Sequence, residues 1–396
     1  MDTHPHHTAV IDTDGTPITY TELETWANRV AHHLLAHHIG IEDIIAVPIP
    51  RSATLTAAMW GIWKTGAVYL PLDPDYPPHR LHQYTTDAQP THTLTTHTVN
   101  HLRHHTTTNH HRPPTPHTHP LNAAYLIFTS GTTGRPKAAI NTHQGLTNRL
   151  AWMQHTIPLT TTDRILHKTP TSFDVSLWEL TWPLLHAATL VHLPPGAHRD
   201  PTTIHHTLTH HHITICHFVP AMLRTYLHHL TTTNPPPTPH LHHVISSGEP
   251  LTTDLTTTFH HHHPHTTLHN MYGPTETAID VTTTTITPHQ PITLGHPTPG
   301  NHILILNPHH QPQPPNTIGQ LTIAGTQLAR GYHHQPGHTA DTFRPHPTQP
   351  GQRIYTTGDH AHTTHNGTIH YHGRTDHQTK IRGTRIELTE THQHLV

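Results

Sequence analysis

Tyr125-Leu-Ile-Phe-Thr129-Ser130-Gly131-Thr132-Thr133-Gly134-Arg135-Pro136-Lys137 is an apolar run that leads into a loop of hydroxyls and glycines ending in a lysine. The first part, residues 123–128, predicts a strand. In the second part, glycines let backbone N–H groups turn toward an anion, Ser and Thr hydroxyls add donors, and Lys137 adds a point charge. That is phosphate-binding chemistry. It is not a Walker A loop, because Pro136 stands where that pattern needs its second glycine. Read alone, the segment is also compatible with a flexible surface turn.

Outward from this stretch the pattern alternates. Leu23, Trp26, Ala27, Val30, Ala31, Leu34 and Leu35 recur at three- and four-residue spacing and predict a helix within residues 18–41, with Thr21 as a candidate cap. Residues 44–49 are a short, largely β-branched run closed by Pro50, residues 55–63 are helical in period, and residues 67–70 are again a short apolar run. Residues 213–219 and 241–246 read as further strands, with helical stretches between. Such alternation predicts an α/β fold of two subdomains with mostly parallel sheets. After residue 292, short β-like runs at 302–306, 319–324 and 367–371 predict a smaller β-rich part over about 292–372. Residues 91–120 and 231–240, rich in His, Thr, Asn and Pro, are expected as surface loops because they have little to bury.

Composition narrows the function classes. The chain of 396 residues allows two or three folding units. Lys and Arg total 20 against 23 Asp and Glu, a formal charge of −3, so no single-sign field points to nucleic acid or an anionic membrane. Charged residues make up 11% where about 25% is usual, and 58 His and 40 Pro take their place. Because imidazole titrates near about 6.5, mild acid adds many positive charges. Cys216 alone can form neither an internal disulfide nor a thiolate metal site, which fits a reducing, cytoplasmic setting. With no basic patch followed by an apolar stretch at the start, and no run of roughly 18 apolar residues anywhere, neither a leader nor a membrane span is expected.

Seven further segments accompany the phosphate loop in a fixed order. They are Thr19-Tyr-Thr-Glu-Leu23, Lys64-Thr-Gly-Ala-Val-Tyr-Leu-Pro-Leu-Asp73, Phe173-Asp-Val-Ser176, Asn270-Met-Tyr-Gly-Pro-Thr-Glu276, Gly319-Gln-Leu-Thr-Ile-Ala-Gly325 with Ala329-Arg-Gly-Tyr332, Tyr355-Thr-Thr-Gly-Asp359, and Gly373-Arg-Thr-Asp-His-Gln-Thr-Lys-Ile-Arg-Gly383. Together they resemble the core motifs of the adenylate-forming superfamily, and specifically the adenylation domain of a nonribosomal peptide synthetase. The resemblance implies an ANL-like N-terminal core over residues 1–372, followed by a hinge and the start of a small C-terminal subdomain over 373–396. It also implies amino-acid activation with ATP and Mg²⁺ to an aminoacyl adenylate and pyrophosphate. The adenylate would then be transferred to phosphopantetheine on a peptidyl carrier domain beside a condensation domain.

The same resemblance assigns roles residue by residue. Thr129, Ser130, Gly131, Thr132, Thr133, Gly134 and Lys137 would hold phosphates. Gly248 joins the nucleotide-binding set, Asn270 would meet the adenine amino edge, and Tyr272 the ring face. Thr275 would lie near the α-phosphate and Glu276 on Mg²⁺, Asp359 would accept the ribose hydroxyls, and Arg374 would add a nucleotide contact. Asp376 resembles the hinge and Lys380 the residue used in the thiolation conformation.

Asp174 separates the alternatives within the superfamily. A buried carboxylate serves an α-ammonium group by a charge-assisted hydrogen bond, whereas a fatty-acid recess gains nothing from it. Asp174 could instead cap the helix containing Leu177 and Trp178. The remaining substrate positions by resemblance are Val175, Trp178, His217, Ile245, Ser247, Met271, Ile279 and Asp280, a set similar to serine-activating domains. His217, Ser247 and Asp280 would satisfy a hydroxymethyl group, and threonine is the nearest rival because one methyl is worth only about 1–3 kcal/mol. His217 could also be an incidental strand histidine in so His-rich a chain.

The sequence departs from the family pattern at several points, among them Thr389 and Thr391, where the family favours glycine and an apolar residue. Ala138 stands where the family favours glycine, and the chain stops at Val396, soon after Asp376. The expected fragment therefore has a complete binding site and impaired turnover. Three other readings are an acyl-CoA synthetase-like acid ligase, a remnant that only binds nucleotide, and a His-rich metal-binding protein suggested by His260 to His263.

Overall fold

A computed structural model of the chain describes residues 4–104, 113–114, 118–130, 135–374, 378–381 and 384–387. Two compact units emerge, one from residues 1–128 and 153–214, the other from 129–152 and 215–396.

In the first unit the predicted alternation is realised. The helix Tyr20–Ala36 is followed by Ile44–Val47, the helix Ala53–Thr65 and Val68–Pro71, and the two strands pair in parallel, Ile45 opposite Tyr69. Ala123–Thr129 continues the parallel arrangement through Tyr125 opposite Tyr69. A second parallel set pairs Arg164–His167 with Thr189–His192, and the latter with Thr8–Ile11. The first helix is capped by Thr19 rather than Thr21. The Thr19 hydroxyl accepts from the Glu22 N–H while the Glu22 carboxylate accepts from the Thr19 N–H, a reciprocal box that Thr21, already inside the helix, cannot make.

Two expected loops are partly helical. Within 91–120 the structure has a strand His92–Thr93 and a helix Thr96–His104. Tertiary contacts stabilise that helix. Trp26 Nε1 donates to the Val99 carbonyl at 2.8 Å, Thr54 bonds Asn100 at 2.7 Å, and the Arg103 guanidinium lies 4.9 Å from the Trp26 ring centre. The second tract begins inside the helix Pro220–Thr233. There Thr231, Thr232 and Thr233 turn their hydroxyls back onto the carbonyls of Leu227, His228 and His229, so the polar groups are satisfied within the helix itself.

In the second unit three strands, Ile215–Phe218, His243–Ser246 and Thr267–Tyr272, run parallel and side by side. Thr282–Ile286 then pairs antiparallel with the last of them. Beyond it an antiparallel sheet runs in the order Asn301–Leu306, Gly319–Gly325, Arg353–Thr363, Phe343–Pro345, with Ile369–Arg374 also on Arg353–Thr363. Leu321, Ile323, Phe343, Tyr355 and Ile369 form its core. Gln378–Ile381 and Thr384–Glu387 pair antiparallel. Among the described residues no helix is long and apolar enough to cross a membrane.

Candidate active site

In open α/β sheets, ligands collect outside the carboxyl ends of parallel strands. In the second unit His217, Ser247 and the run Asn270, Met271, Tyr272 stand at the carboxyl ends of three adjacent parallel strands. His217 Nε2 lies 3.0 Å from Ser247 Oγ, and Ile245, opposite His217 in register, is fully buried. Gly248 follows at a φ of +89°.

After Tyr272 the chain folds back on itself. The Val281 N–H donates to the Tyr272 carbonyl at 2.8 Å, and a Cβ on Gly273 would stand 2.4 Å from the Ile279 carbonyl oxygen, so no other residue fits there. Ile279 takes a φ of +80°, a left-handed conformation that is costly for a β-branched residue, by about 1–3 kcal/mol. The strain falls on a residue of the expected substrate set.

The short 3₁₀ turn Thr275–Thr277 is fastened by Asn141, whose Nδ2 donates to the Thr275 carbonyl at 2.9 Å. Glu276 is wholly buried on it. Its Oε1 accepts from the Tyr332 hydroxyl at 2.8 Å and lies 3.2 Å from Lys137 Nζ. Lys137 in turn donates to the Tyr332 hydroxyl at 2.9 Å. Sheet register makes this meeting possible, since Gly331–Tyr332 pairs antiparallel with Lys137–Thr142 and puts Tyr332 opposite Ala139.

A second charged cluster joins Tyr272, Asp359 and Arg374. Asp359 and Arg374 face one another on paired strands, and Arg374 Nη1 binds Asp359 Oδ1 at 2.9 Å. Tyr272 donates its hydroxyl to Asp359 Oδ2. Burial foremost, and then the Asp359 carboxylate, push the Tyr272 phenol well above its ordinary range, so it remains a donor. Both carboxylate oxygens are thus oriented by neighbouring side chains. Asn270 Nδ2 donates to the Thr293 carbonyl at 2.7 Å.

Met271 and Asp280 are brought together by a residue that sequence reasoning missed. Arg149, fully buried on the helix His143–Thr156, reaches Asp280 Oδ2 at 2.9 Å and Met271 Sδ at 3.3 Å, with its guanidinium 4.8 Å from the Trp152 ring centre. The available signal was a lone arginine at the apolar spacing of Leu146, Leu150 and Met153, since buried charges are rare unless paired.

In the first unit, Asp174, Val175 and Trp178 open the helix Val175–Leu185. Asp174 occupies the cap position with φ −63° and ψ −23°, yet its side chain makes no capping bond, which counts against the helix-cap alternative. It is buried, and Trp178 is fully buried, its ring in a T-shaped contact with that of Trp182 at 6.0 Å between centres. Glu179, also unforeseen, accepts from the N–H groups of Lys168 and Thr169 at 3.1 and 3.0 Å and from the Thr169 hydroxyl at 2.7 Å, and burial raises its carboxyl above the usual range.

Of the phosphate loop, Thr129 and Ser130 are described, and Thr129 Oγ1 donates to the Lys137 carbonyl at 3.4 Å. Gly131, Thr132, Thr133, Gly134 and Asp376 lie outside the described residues, and for Lys380 only the backbone, in a strand, is described. Among the described residues no group of three or more His, Cys, Asp or Glu could hold a metal ion.

Comparison with known proteins gives a match to the AMP-binding enzyme family over residues 1–333. The chain is 39% identical over 411 residues to vanchrobactin synthetase VabF of Vibrio anguillarum, covering 98% of this chain and 14% of that protein. It is 39% identical over 393 residues to enterobactin synthase component F of Escherichia coli O157:H7, covering 94% of this chain and 30% of that one. It therefore spans less than a third of the length of these relatives. Among solved structures, the nonribosomal peptide synthetase FmoA3 bound to α-methyl-L-serine-AMP matches with a TM-score of 0.87 at 26% identity, covering 95% of this chain and 44% of that one. The N-terminal subdomain of Klebsiella oxytoca NpsA, in complex with 3-hydroxyanthranilyl-AMSN, matches with a TM-score of 0.82 at 25% identity, covering 94% and 95%.

Proposed function

The chain belongs to the AMP-binding enzyme family, and on that premise we propose that it activates an amino acid, serine foremost, for nonribosomal peptide synthesis. In this reaction a substrate carboxylate oxygen attacks the α-phosphorus of ATP. The bond from that phosphorus to the bridging oxygen breaks, and pyrophosphate leaves with the electron pair. Placing the two reactants and stabilising the developing charge supply most of such a rate enhancement.

The residues divide the work. Asp359, with both oxygens oriented by Tyr272 and Arg374, takes the ribose hydroxyls, and Asn270 the adenine edge. Thr129, Ser130, Lys137 and the intervening loop hold phosphate oxygens, with Thr275 near the α-phosphate. Glu276 is the donor type that Mg²⁺ takes alongside substrate phosphates, a single carboxylate rather than a full protein cage, and the ion when bound would neutralise triphosphate charge. Asp174 receives the α-ammonium group. Lys380 serves the later transfer to phosphopantetheine on a carrier domain, with Asp376 as the hinge and a condensation domain as the next partner.

The observation that carries serine is the His217–Ser247 pair, two hydrogen-bonding side chains 3.0 Å apart at buried strand ends. Glycine or alanine would leave such groups without a ligand partner, the stronger form of discrimination. The α-methyl-L-serine-AMP complex of FmoA3 supports the same choice. The test is calorimetric titration with non-hydrolysable aminoacyl-sulfamoyl adenosines. The seryl compound is expected to bind tighter than the threonyl one by about 10–200-fold, and tighter still than the glycyl and alanyl ones. Binding confined to aryl or fatty-acyl analogues would refute the amino-acid reading in favour of an acid ligase.

A further inference from the structure

Arg149 plays no part in the nucleotide chemistry, yet it is a fully buried cation on two residues of the expected substrate set. Its Nη2 is committed to Asp280 and Met271. Its Nε and Nη1 are buried and have no hydrogen-bond partner among the described residues. A buried carboxylate left alone would draw in a cation, and one matched to a guanidinium does not. The spare N–H groups also favour an acceptor, such as a hydroxyl oxygen, over a further donor.

We propose that Arg149 is a specificity-determining positioning residue, which cancels the charge of Asp280 so that the site takes neutral, hydroxyl-bearing side chains and rejects short cationic ones. The inference rests on the reading of Met271 and Asp280 as substrate contacts given above. The discriminating ligand is 2,3-diaminopropionate, which replaces the serine hydroxyl by an ammonium group at nearly the same size. Against Asp280 with Arg149 in place, that ammonium meets a cation. Once Arg149 is removed it meets a bare carboxylate.

The experiment titrates the full chain with seryl- and 2,3-diaminopropionyl-sulfamoyl adenosine, comparing wild type with Arg149→Met, Arg149→Lys and the double variant Arg149→Met/Asp280→Asn. Wild type is expected to prefer the seryl compound. Arg149→Met should shift the ratio of the two affinities by about tenfold or more toward the diamino compound, the scale of a single close charge pair. Arg149→Lys should keep the wild-type preference, and the double variant should show no gain for the diamino ligand because no carboxylate remains. Should Arg149→Met fail to fold, the double variant and Asp280→Asn carry the test. Without the Asp280 charge the diamino compound must bind no better than in wild type, and a gain there overturns the proposal. A folded Arg149→Met with an unchanged ratio also overturns it while leaving serine activation intact. Wild-type chain that binds neither aminoacyl compound but does bind AMP overturns both this inference and the amino-acid reading beneath it.

Discussion

Lys137 and Glu276 form a buried ion pair, 3.2 Å from Nζ to Oε1, and the hydroxyl of Tyr332 bonds to both partners. A carboxylate withdrawn from water is tolerated here because a cation and a donor share the cost of its desolvation. The same two residues are the ones proposed to meet phosphate and Mg²⁺.

Removing one partner should therefore cost far more than trimming the bridge. Lys137→Met leaves Glu276 buried without its cation and is expected to lose about 3–5 kcal/mol in urea unfolding. Tyr332→Phe, which removes only the hydroxyl, should lose about 1–3 kcal/mol. Equal, small losses in both variants would show that the pair carries no weight.

Asp359 is oriented by Tyr272 on one oxygen and Arg374 on the other. Asp359→Ala is expected to weaken binding of a fluorescent ATP analogue by about 10–150-fold, the equivalent of about 1.5–3 kcal/mol for a charge-assisted contact. Tyr272→Phe should give a smaller loss in the same titration. Unchanged affinity in Asp359→Ala would remove this carboxylate from the nucleotide site.

Gly273→Ala would drive a methyl group to 2.4 Å from the Ile279 carbonyl and 2.6 Å from Asp280 Cα. Both are backbone atoms and cannot rotate away. The substitution should destabilise the chain by about 1–3 kcal/mol or more and, by displacing Ile279 and Asp280, shift the amino-acid preference in the sulfamoyl-adenosine titration. A wild-type melting temperature together with wild-type preference would contradict the geometry.

Acid should unfold the chain early. His167 and His192 are fully buried with Nδ1 atoms 2.9 Å apart, and His192 Nε2 lies 3.0 Å from Thr56 Oγ1. Burial foremost, and the charge of Arg51, depress His192 to about 3, and burial with His243 nearby depresses His269 to about 4. Unfolded imidazole binds a proton near about 6.5. Below that value the unfolded state takes up protons that these folded histidines refuse. Their contribution is thus complete above about 6.5 and is lost as pH falls toward 4 and 3, at up to about 1.4 kcal/mol per pH unit for each. Urea unfolding between pH 7 and pH 4 should show this slope, and His192→Asn should flatten it. An unaltered slope in the variant would contradict the assignment.

The α/β alternation, the strand ahead of the phosphate loop and the adenylation-domain resemblance were legible from residue order alone. Apolar period and glycine placement are local properties, and local properties fix where strands and helices form. The Thr-rich tracts show the limit. Their composition reads as loop, yet contacts from Trp26 and Thr54, or hydroxyls turned back onto the helix carbonyls, make parts of them helical.

The charge partners were decided only by the tertiary structure. Lys137 and Tyr332 are 195 residues apart, Tyr272 and Asp359 are 87 apart, and Arg149 and Asp280 are 131 apart. Such pairs depend on strand register and helix placement, which sequence spacing does not encode. A sequence names the groups that could carry charge at the site. Only the fold determines which of them cancel one another once water is excluded, and in this chain that selection sets the electrostatics of the residues proposed for both the nucleotide and the substrate side chain.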